Sequence, residues 1–372
     1  MKRYNSIDIL RTLAIIGMIQ VHVTEFLSGY YDSYTVLFRL SDLVGSFPAP
    51  LFTFLVGLSL FVSVNRQEVK GVVSTQVADR NLRRGIAIFF FGLLFATFIW
   101  MPEEVFGWDI LTLIGASLLI LFPLRKIGSA RLTIIAGFII LVSPIIRFYT
   151  DYHSHWNQWG EYIPSFEMQG MLTGFFANGY FPLLPWLVFP LSGYLVGKTC
   201  FGGRELRIPG ALLLAGGALI LLSLIMIFIA STFELQGLIA DYIAPFTFYP
   251  ASTSFIFLAS GINILLFVIF FRFFDLKERA KDNSFLIFCR RYSRYALTAY
   301  VVHHAVFVWP LLIAAAYTGK LYRWQYYGEV MPTAYSLLLS FLFVALFYMV
   351  IIVWDKREGR YSFEWFLRRL TG

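Results

Sequence analysis

Ten strongly apolar segments, each close to the length a helix needs to cross a bilayer, divide this 372-residue chain. They fall at roughly 7–28, 43–64, 85–101, 108–124, 131–149, 181–197, 209–231, 250–273, 295–317 and 333–354. Within each, the apolar residues run on without the alternation of barrel strands, so the spans read as helices. A composition of 58% hydrophobic, 19% aromatic and 14% charged residues, with a mean hydropathy of +0.70, excludes a soluble globule. The expected fold is all-α: a polytopic membrane helix bundle of about ten transmembrane helices, forming a single membrane domain over 1–372. The sixth segment is the least regular, because Phe181-Pro182-Leu183-Leu184-Pro185-Trp186 fits an interfacial start or a broken helix.

Charge between the segments tests that count. Basic residues number two before the first span, five in 66–84, three in 125–131, three in 198–207, six in 277–294 and five in 356–369. The alternate loops hold only Arg39, Arg147, Lys320 and Arg323. By the positive-inside rule both termini are cytoplasmic and the protein sits in the cell membrane. The formal charge of +8 is therefore a topology signal, with membrane lipids as its partner and no nucleic acid implied. The first segment carries charges and lacks a small-residue cleavage pattern, so it is expected to be retained. Cys200 and Cys289 fall near the cytoplasmic side without metal-ligand spacing, and no metal is expected. There is no glycine-rich phosphate loop.

Chemistry concentrates in the first segment, where Asp8, Arg11, His22 and Glu25 interrupt the apolar run. Arg11 and His22 lie eleven residues apart, three helical turns, which sets them on nearly one stripe roughly 16 Å apart along the axis. Asp8 can pair with Arg11, and Glu25 can accept the ring proton of His22, giving an imidazole backed by a carboxylate as in a general base. Two simpler readings stay open: an interfacial Asp8–Arg11 pair with a satisfied bundle histidine, or a proton path in a proton-coupled transporter or lipid or glycan carrier built on Arg11, His22 and Glu25.

The run Ser6-Ile7-Asp8-Ile9-Leu10-Arg11 through Gly17-Met18-Ile19-Gln20-Val21-His22 resembles the opening of the transmembrane acyltransferase superfamily, which includes the type-three sugar O-acetylases and the heparan-α-glucosaminide N-acetyltransferases. Pro50-Leu51-Phe52-Thr53-Phe54-Leu55-Val56-Gly57 is similar to the second-segment motif of both branches. Phe181 to Trp186 with Gly193-Tyr194-Leu195-Val196-Gly197, then Tyr249-Pro250-Ala251-Ser252, then Ala296-Leu297-Thr298-Ala299-Tyr300-Val301-Val302-His303, resemble the heparan-type branch. That branch has an asparagine where His22 stands and a histidine in the following outer loop, whereas residues 29–42 here contain none.

The resemblance implies a membrane acyltransferase that moves an acyl group, acetyl above all, from cytoplasmic acetyl-CoA or another acyl-CoA to a hydroxyl or amine of a glycan or small-molecule acceptor on the outer side. His22 would be the catalytic base, with Glu25 orienting it. Arg11, Arg80, Arg83, Arg84, Arg290 and Arg291 would hold the phosphates of CoA. Asp42, Tyr300 and His303 are candidate substrate-site residues, and of the adjacent pair His303 and His304 at most one is expected to line the site. His153 and His155 are fallback bases beside Tyr152, Trp156 and Trp159, a grouping that also fits an aromatic interface belt. The hydroxyls of Ser41 and Ser46 are candidate oxyanion donors.

Overall fold

The computed structural model describes residues 3–29, 31–158, 160–203, 205–276, 283–319 and 330–372. Lys2, Trp159, Arg204, Lys277, Arg279, Lys281, Lys320 and Arg323, which entered the charge count or the aromatic belt, lie outside the described residues.

Helices α1 (Asn5–Ser28), α2 (Val36–Gly45) and α3 (Pro48–Val69) open the chain. They are followed by α4 (Ser74–Phe95), α5 (Ile110–Leu124), α6 (Ser129–Tyr149), α7 (Met168–Thr173), α8 (Leu183–Trp186), α9 (Val188–Phe201), α10 (Gly210–Thr232), α11 (Gly237–Tyr242) and α12 (Thr253–Phe271). The chain closes with α13 (Ser284–Arg294), α14 (Ala296–Thr318), α15 (Thr333–Lys356) and α16 (Phe363–Thr371). Among the described residues nine helical stretches are long and apolar enough to cross a membrane, and α5 is a shorter apolar helix of 15 residues at the fourth expected span. The chain is a multi-pass membrane helix bundle. Its sixth segment is a broken one: α7, α8 and α9 succeed one another within the apolar stretch Met168–Phe201, and Leu184 leaves helical geometry next to Pro185.

The contacts divide the chain into two compact units, one of Met1–Phe52 with Ala280–Arg369 and the other of Thr53–Arg279 with Leu370–Gly372. In the first unit α1 is the central element. Its sides meet α2, α13, α14 and α15, and Ile9, Leu10, Ile15, Ile19 and Val23 along it are at most 1% exposed. Polar groups fix its two ends. At the N-terminal end Arg3 pairs with Asp8, Thr12 Oγ1 donates to the Cys289 carbonyl at 2.8 Å, and Asn5 Oδ1 accepts from Arg290. At the other end the Leu27 carbonyl accepts from the amides of Val330 and Met331, and Asp32 Oδ2 accepts from Thr333 N–H at 2.7 Å. Asp32 thereby supplies α15 with an N-terminal carboxylate from a distant part of the chain. Glu364 of α16 does the same for α14, accepting from both the amide and the hydroxyl of Thr298. Burial raises the Glu364 carboxyl above its ordinary range, against the opposing pull of those Thr298 hydrogen bonds.

The second unit owes its closest approach to glycines of two family-like motifs. A Cβ at Gly57 of α3 would overlap the Pro190 carbonyl oxygen of α9, and one at Gly193 would overlap the Phe54 carbonyl oxygen. The helices cross with backbone against backbone, the small-residue packing that lipid-embedded helices favour. Around that crossing Trp186 rests on Phe181 and Phe189, at ring-centre distances of 4.8 and 5.3 Å. Ser252 caps α12 by accepting from the Phe255 amide at 3.2 Å. The proline-aromatic, glycine and Tyr249-to-Ser252 motifs are thus packing and capping devices of this unit.

Candidate functional site

Three histidines converge in the first unit. His22 lies five turns into α1, whereas His303 and His304 lie near the start of α14. They meet because α13 runs beside the first turns of α1, where Thr12 and Asp8 bond to Cys289 and Ser293, so that α14 starts farther along α1. His303 is consequently level with His22, and the difference of about three turns in their positions along their own helices disappears.

The ring contacts are close. His22 Nδ1 and His303 Nε2 are 3.0 Å apart, with the rings nearly parallel at 4°. His303 Nδ1 is 2.9 Å from the Ala299 carbonyl oxygen and His304 Nδ1 is 2.8 Å from that of Tyr300. A carbonyl only accepts, so each of these Nδ1 atoms carries the ring proton and each Nε2 presents a lone pair. His303 Nε2 therefore accepts from His22 Nδ1–H, which leaves His22 Nε2 as the basic nitrogen of the first ring. His303 and His304 are 0% exposed while His22 is half-buried, so of the three rings that of His22 is the one that keeps exposed surface. Phe26 stacks on His22 at 5.8 Å between ring centres, and Tyr300 lies 4.7 Å from His304.

Several expectations change at this point. Glu25 was to orient His22, but it is exposed, and the ring's Nδ1 contact is with His303. Side chains three residues apart are about 60° apart around a helix, enough for one to face the bundle while the other faces away. The expectation that at most one of His303 and His304 lines the site is overturned: their ring centres lie 5.3 and 4.6 Å from that of His22. Tyr300 joins the site through its ring, in contact with both histidines. Asp42 is exposed on α2. The Ser41 hydroxyl is taken up by the Gln20 amide, and the Ser46 hydroxyl donates to the Asp42 carbonyl at 3.1 Å.

The cations separate into two kinds. Arg11 donates to Ser293 Oγ at 3.1 Å, and Ser293 in turn donates to Asp8, so Asp8 and Arg11 are linked through a hydroxyl of α13. Arg290 is held by Asn5, and Arg291 and Arg294 both pair with Asp355, at 3.0 and 2.8 Å. These guanidinium groups tie α13 to α1 and α15. In the second unit Arg80, Arg83 and Arg84 are exposed on the first turns of α4, which begins well before the apolar run, and Arg83 makes an exposed pair with Asp79. Arg147, counted as an outer-loop charge, is instead 4% exposed on α6 and donates to the Ala251 carbonyl at 3.0 Å. His153 is exposed, and Tyr152 and Trp156 stack beside it at 5.4 Å as part of a packed aromatic group with Tyr162, Tyr180 and Tyr249.

The profile of the family described as heparan-alpha-glucosaminide N-acetyltransferase, catalytic, matches residues 3–224, well over half of the chain. The chain belongs to that family. A membrane acetyltransferase-like function follows from this membership. The matched stretch includes His22 but ends before His303 and His304. No curated protein matches the chain. The pairing of His22 with His303 had no signal in the spacing of the first segment. The one available hint was the presence of two adjacent histidines inside an apolar span, where each polar ring needs a partner.

Proposed function

We propose that the protein is an acyl-CoA-dependent acyltransferase in which His22 is the general base and His303 positions it. The observation that carries this reading is the ordered chain from the Ala299 carbonyl through His303 to His22, which leaves Nε2 as the basic nitrogen of a half-buried ring. An acceptor hydroxyl or amine gives its proton to Nε2 as it attacks the thioester carbonyl carbon. The imidazolium is steadied by its Nδ1–H bond to His303. The C–S bond then breaks, and the CoA thiolate takes the proton back from Nε2. His303 fills the role in which the third member of a hydrolase triad holds the base in one tautomer.

The donor is acetyl-CoA or a related acyl-CoA from the cytoplasm, and the acceptor is a sugar or related small molecule on the outer side of the cell membrane. Release of free CoA from acetyl-CoA by the purified protein, measured with and without amino sugars and neutral sugars, tests the reaction. No acceptor-dependent release with any of them would overturn it.

The exposed Arg80, Arg83 and Arg84 are better suited to the CoA phosphates than Arg290 and Arg291, whose guanidinium groups already serve Asn5, Asp355 and Tyr348. Joint replacement of Arg83 and Arg84 by Gln is expected to weaken acyl-CoA binding about tenfold or more with thermal stability unchanged. Equal affinity in the variant and the parent, measured by calorimetry, would remove these residues from the donor site.

This reading needs both termini in the cytoplasm, as the positive-inside rule assigns them. A cysteine placed at Gly372 should react with a membrane-impermeant maleimide only after the cells are opened. The native thiols should not interfere, since Cys200 and Cys289 are buried and burial pushes Cys289 up to about 11. Labelling at Gly372 in intact cells would reverse the topology.

A further inference from the structure

Proton transfer needs only two of the three converging imidazoles, yet His304 brings a third ring against His22 and His303. We propose that His22, His303 and His304 bind one divalent transition-metal cation of the zinc class, and that the metal-bound and proton-transferring states of the cluster exclude one another.

One ring nitrogen from each histidine lies within 4.8 Å of the others. Around a zinc ion with Zn–N bonds of about 2.05 Å in tetrahedral geometry, ligand nitrogens stand roughly 3.3 Å apart. His22 Nδ1 and His303 Nε2 are already at 3.0 Å, and the widest pair needs to close by about 1.5 Å, a movement within reach of side-chain rotation.

The outer contacts are also those of a metal site. His303 and His304 each donate the second ring nitrogen to a backbone carbonyl one turn back, Ala299 and Tyr300, which fixes the tautomer that points Nε2 at the common centre. The donor set is all imidazole, which suits zinc, cobalt, nickel or copper and is poor for magnesium or calcium. Three ligands leave a fourth position open, and the half-buried His22 marks the side from which an ion or water enters.

The proton balance explains the exclusion. In the metal-free cluster the proton between His22 and His303 sits on His22 Nδ1. Ligation through Nδ1 takes the electron pair that holds this proton, so the N–H bond of Nδ1 breaks and a proton is bound at Nε2 instead, with no net release. The nitrogen that would serve as the base is then blocked. Metal binding does not depend on acyl transfer, so the two readings can fail separately.

The test uses the full-length protein in detergent, purified through a tag that contains no histidine and freed of metal by a chelator. Co2+ is titrated by equilibrium dialysis and visible absorption, and Zn2+ is then used to displace it. One Co2+ per chain with the intense visible bands of a four-coordinate ion is expected. His22→Asn, His303→Gln and His304→Gln should each weaken binding about tenfold or more, since loss even of an outer partner costs 10–100-fold at such sites. Joint replacement of His153 and His155 by Gln, the other two of the five histidines, should leave binding unchanged.

Thermal unfolding of each variant separates loss of the site from loss of the fold. Should the two buried replacements misfold, His22→Asn at the half-buried rim decides. Absence of Co2+ binding tighter than about 100 µM in the parent would overturn the proposal. Binding that survives His22→Asn, or that is lost with His153 and His155, would also overturn it. Zn2+ at saturating concentration should abolish CoA release, and undiminished release would show that the two states coexist and sink the exclusion. Metal binding without any acyl transfer would refute the enzymatic reading alone.

Discussion

His22→Asn should lower acyl transfer by about 10²–10⁴-fold, the usual contribution of a positioned general base, while acyl-CoA affinity stays near that of the parent. Asparagine keeps a polar side chain on this half-buried turn of α1 and removes the basic nitrogen. His303 offers the complementary test. Its Nε2 accepts from His22 Nδ1–H at 3.0 Å, so His303→Leu should reduce kcat with little change in KM for acyl-CoA. His303→Gln, whose side-chain carbonyl can accept the same proton, should recover part of the loss. A purely structural His303 would give no such rescue. Glu25→Gln should be far milder than His22→Asn, because Glu25 is exposed and the ring's Nδ1 is met by His303. Near-parental turnover in His22→Asn would make His22 a packing residue and end the proposed mechanism.

The second large effect is on folding. Gly57→Ala is expected to cost about 3 kcal/mol, the upper part of the range for overpacking, because the new methyl meets the Pro190 backbone carbonyl instead of a side chain that can turn aside. Gly57→Val should be worse, and Gly193→Ala should resemble Gly57→Ala, since its methyl would meet the Phe54 carbonyl. Gly217→Ala on α10 is the control: nothing lies within 4 Å of a Cβ there, and alanine improves helix propensity. Thermal unfolding in detergent compares the four variants. A Tm for Gly57→Ala equal to that of Gly217→Ala would show that α3 and α9 do not cross at backbone contact.

The first of these predictions depends on tertiary structure far more than the class of protein does. Apolar segments, the helical class and the alternation of basic loops were all legible along the chain, because the cost of exposing backbone and charge to hydrocarbon acts on each segment separately. His22 was legible too, as an ionisable side chain in an apolar span with a family-like arginine eleven residues before it. The resemblance motifs were visible as residues but not as roles. Gly57, Gly193 and Ser252 turned out to shape a helix crossing and a cap.

What only the folded chain decided was the choice of partners. Local spacing paired His22 with Glu25 and Asp8 with Arg11, since an i, i+3 neighbour is all that one helix can offer. In the bundle, His22 meets His303 across a sequence separation of 281 residues, Asp8 meets Ser293, and Asp32 and Glu364 cap helices far from them in sequence. The physical reason is the axial offset between α1 and α14. It is set by α13 packing on the first turns of α1 through Thr12, Asp8 and Arg290, and contacts of that kind leave no periodic trace in either segment. A one-turn slip would move His303 about 5.4 Å from its partner while leaving every apolar segment as it is. Hydropathy along the chain is enough to show that it crosses a membrane and carries a histidine there; the packing of α13, α14 and α1 is what brings three histidines to one place.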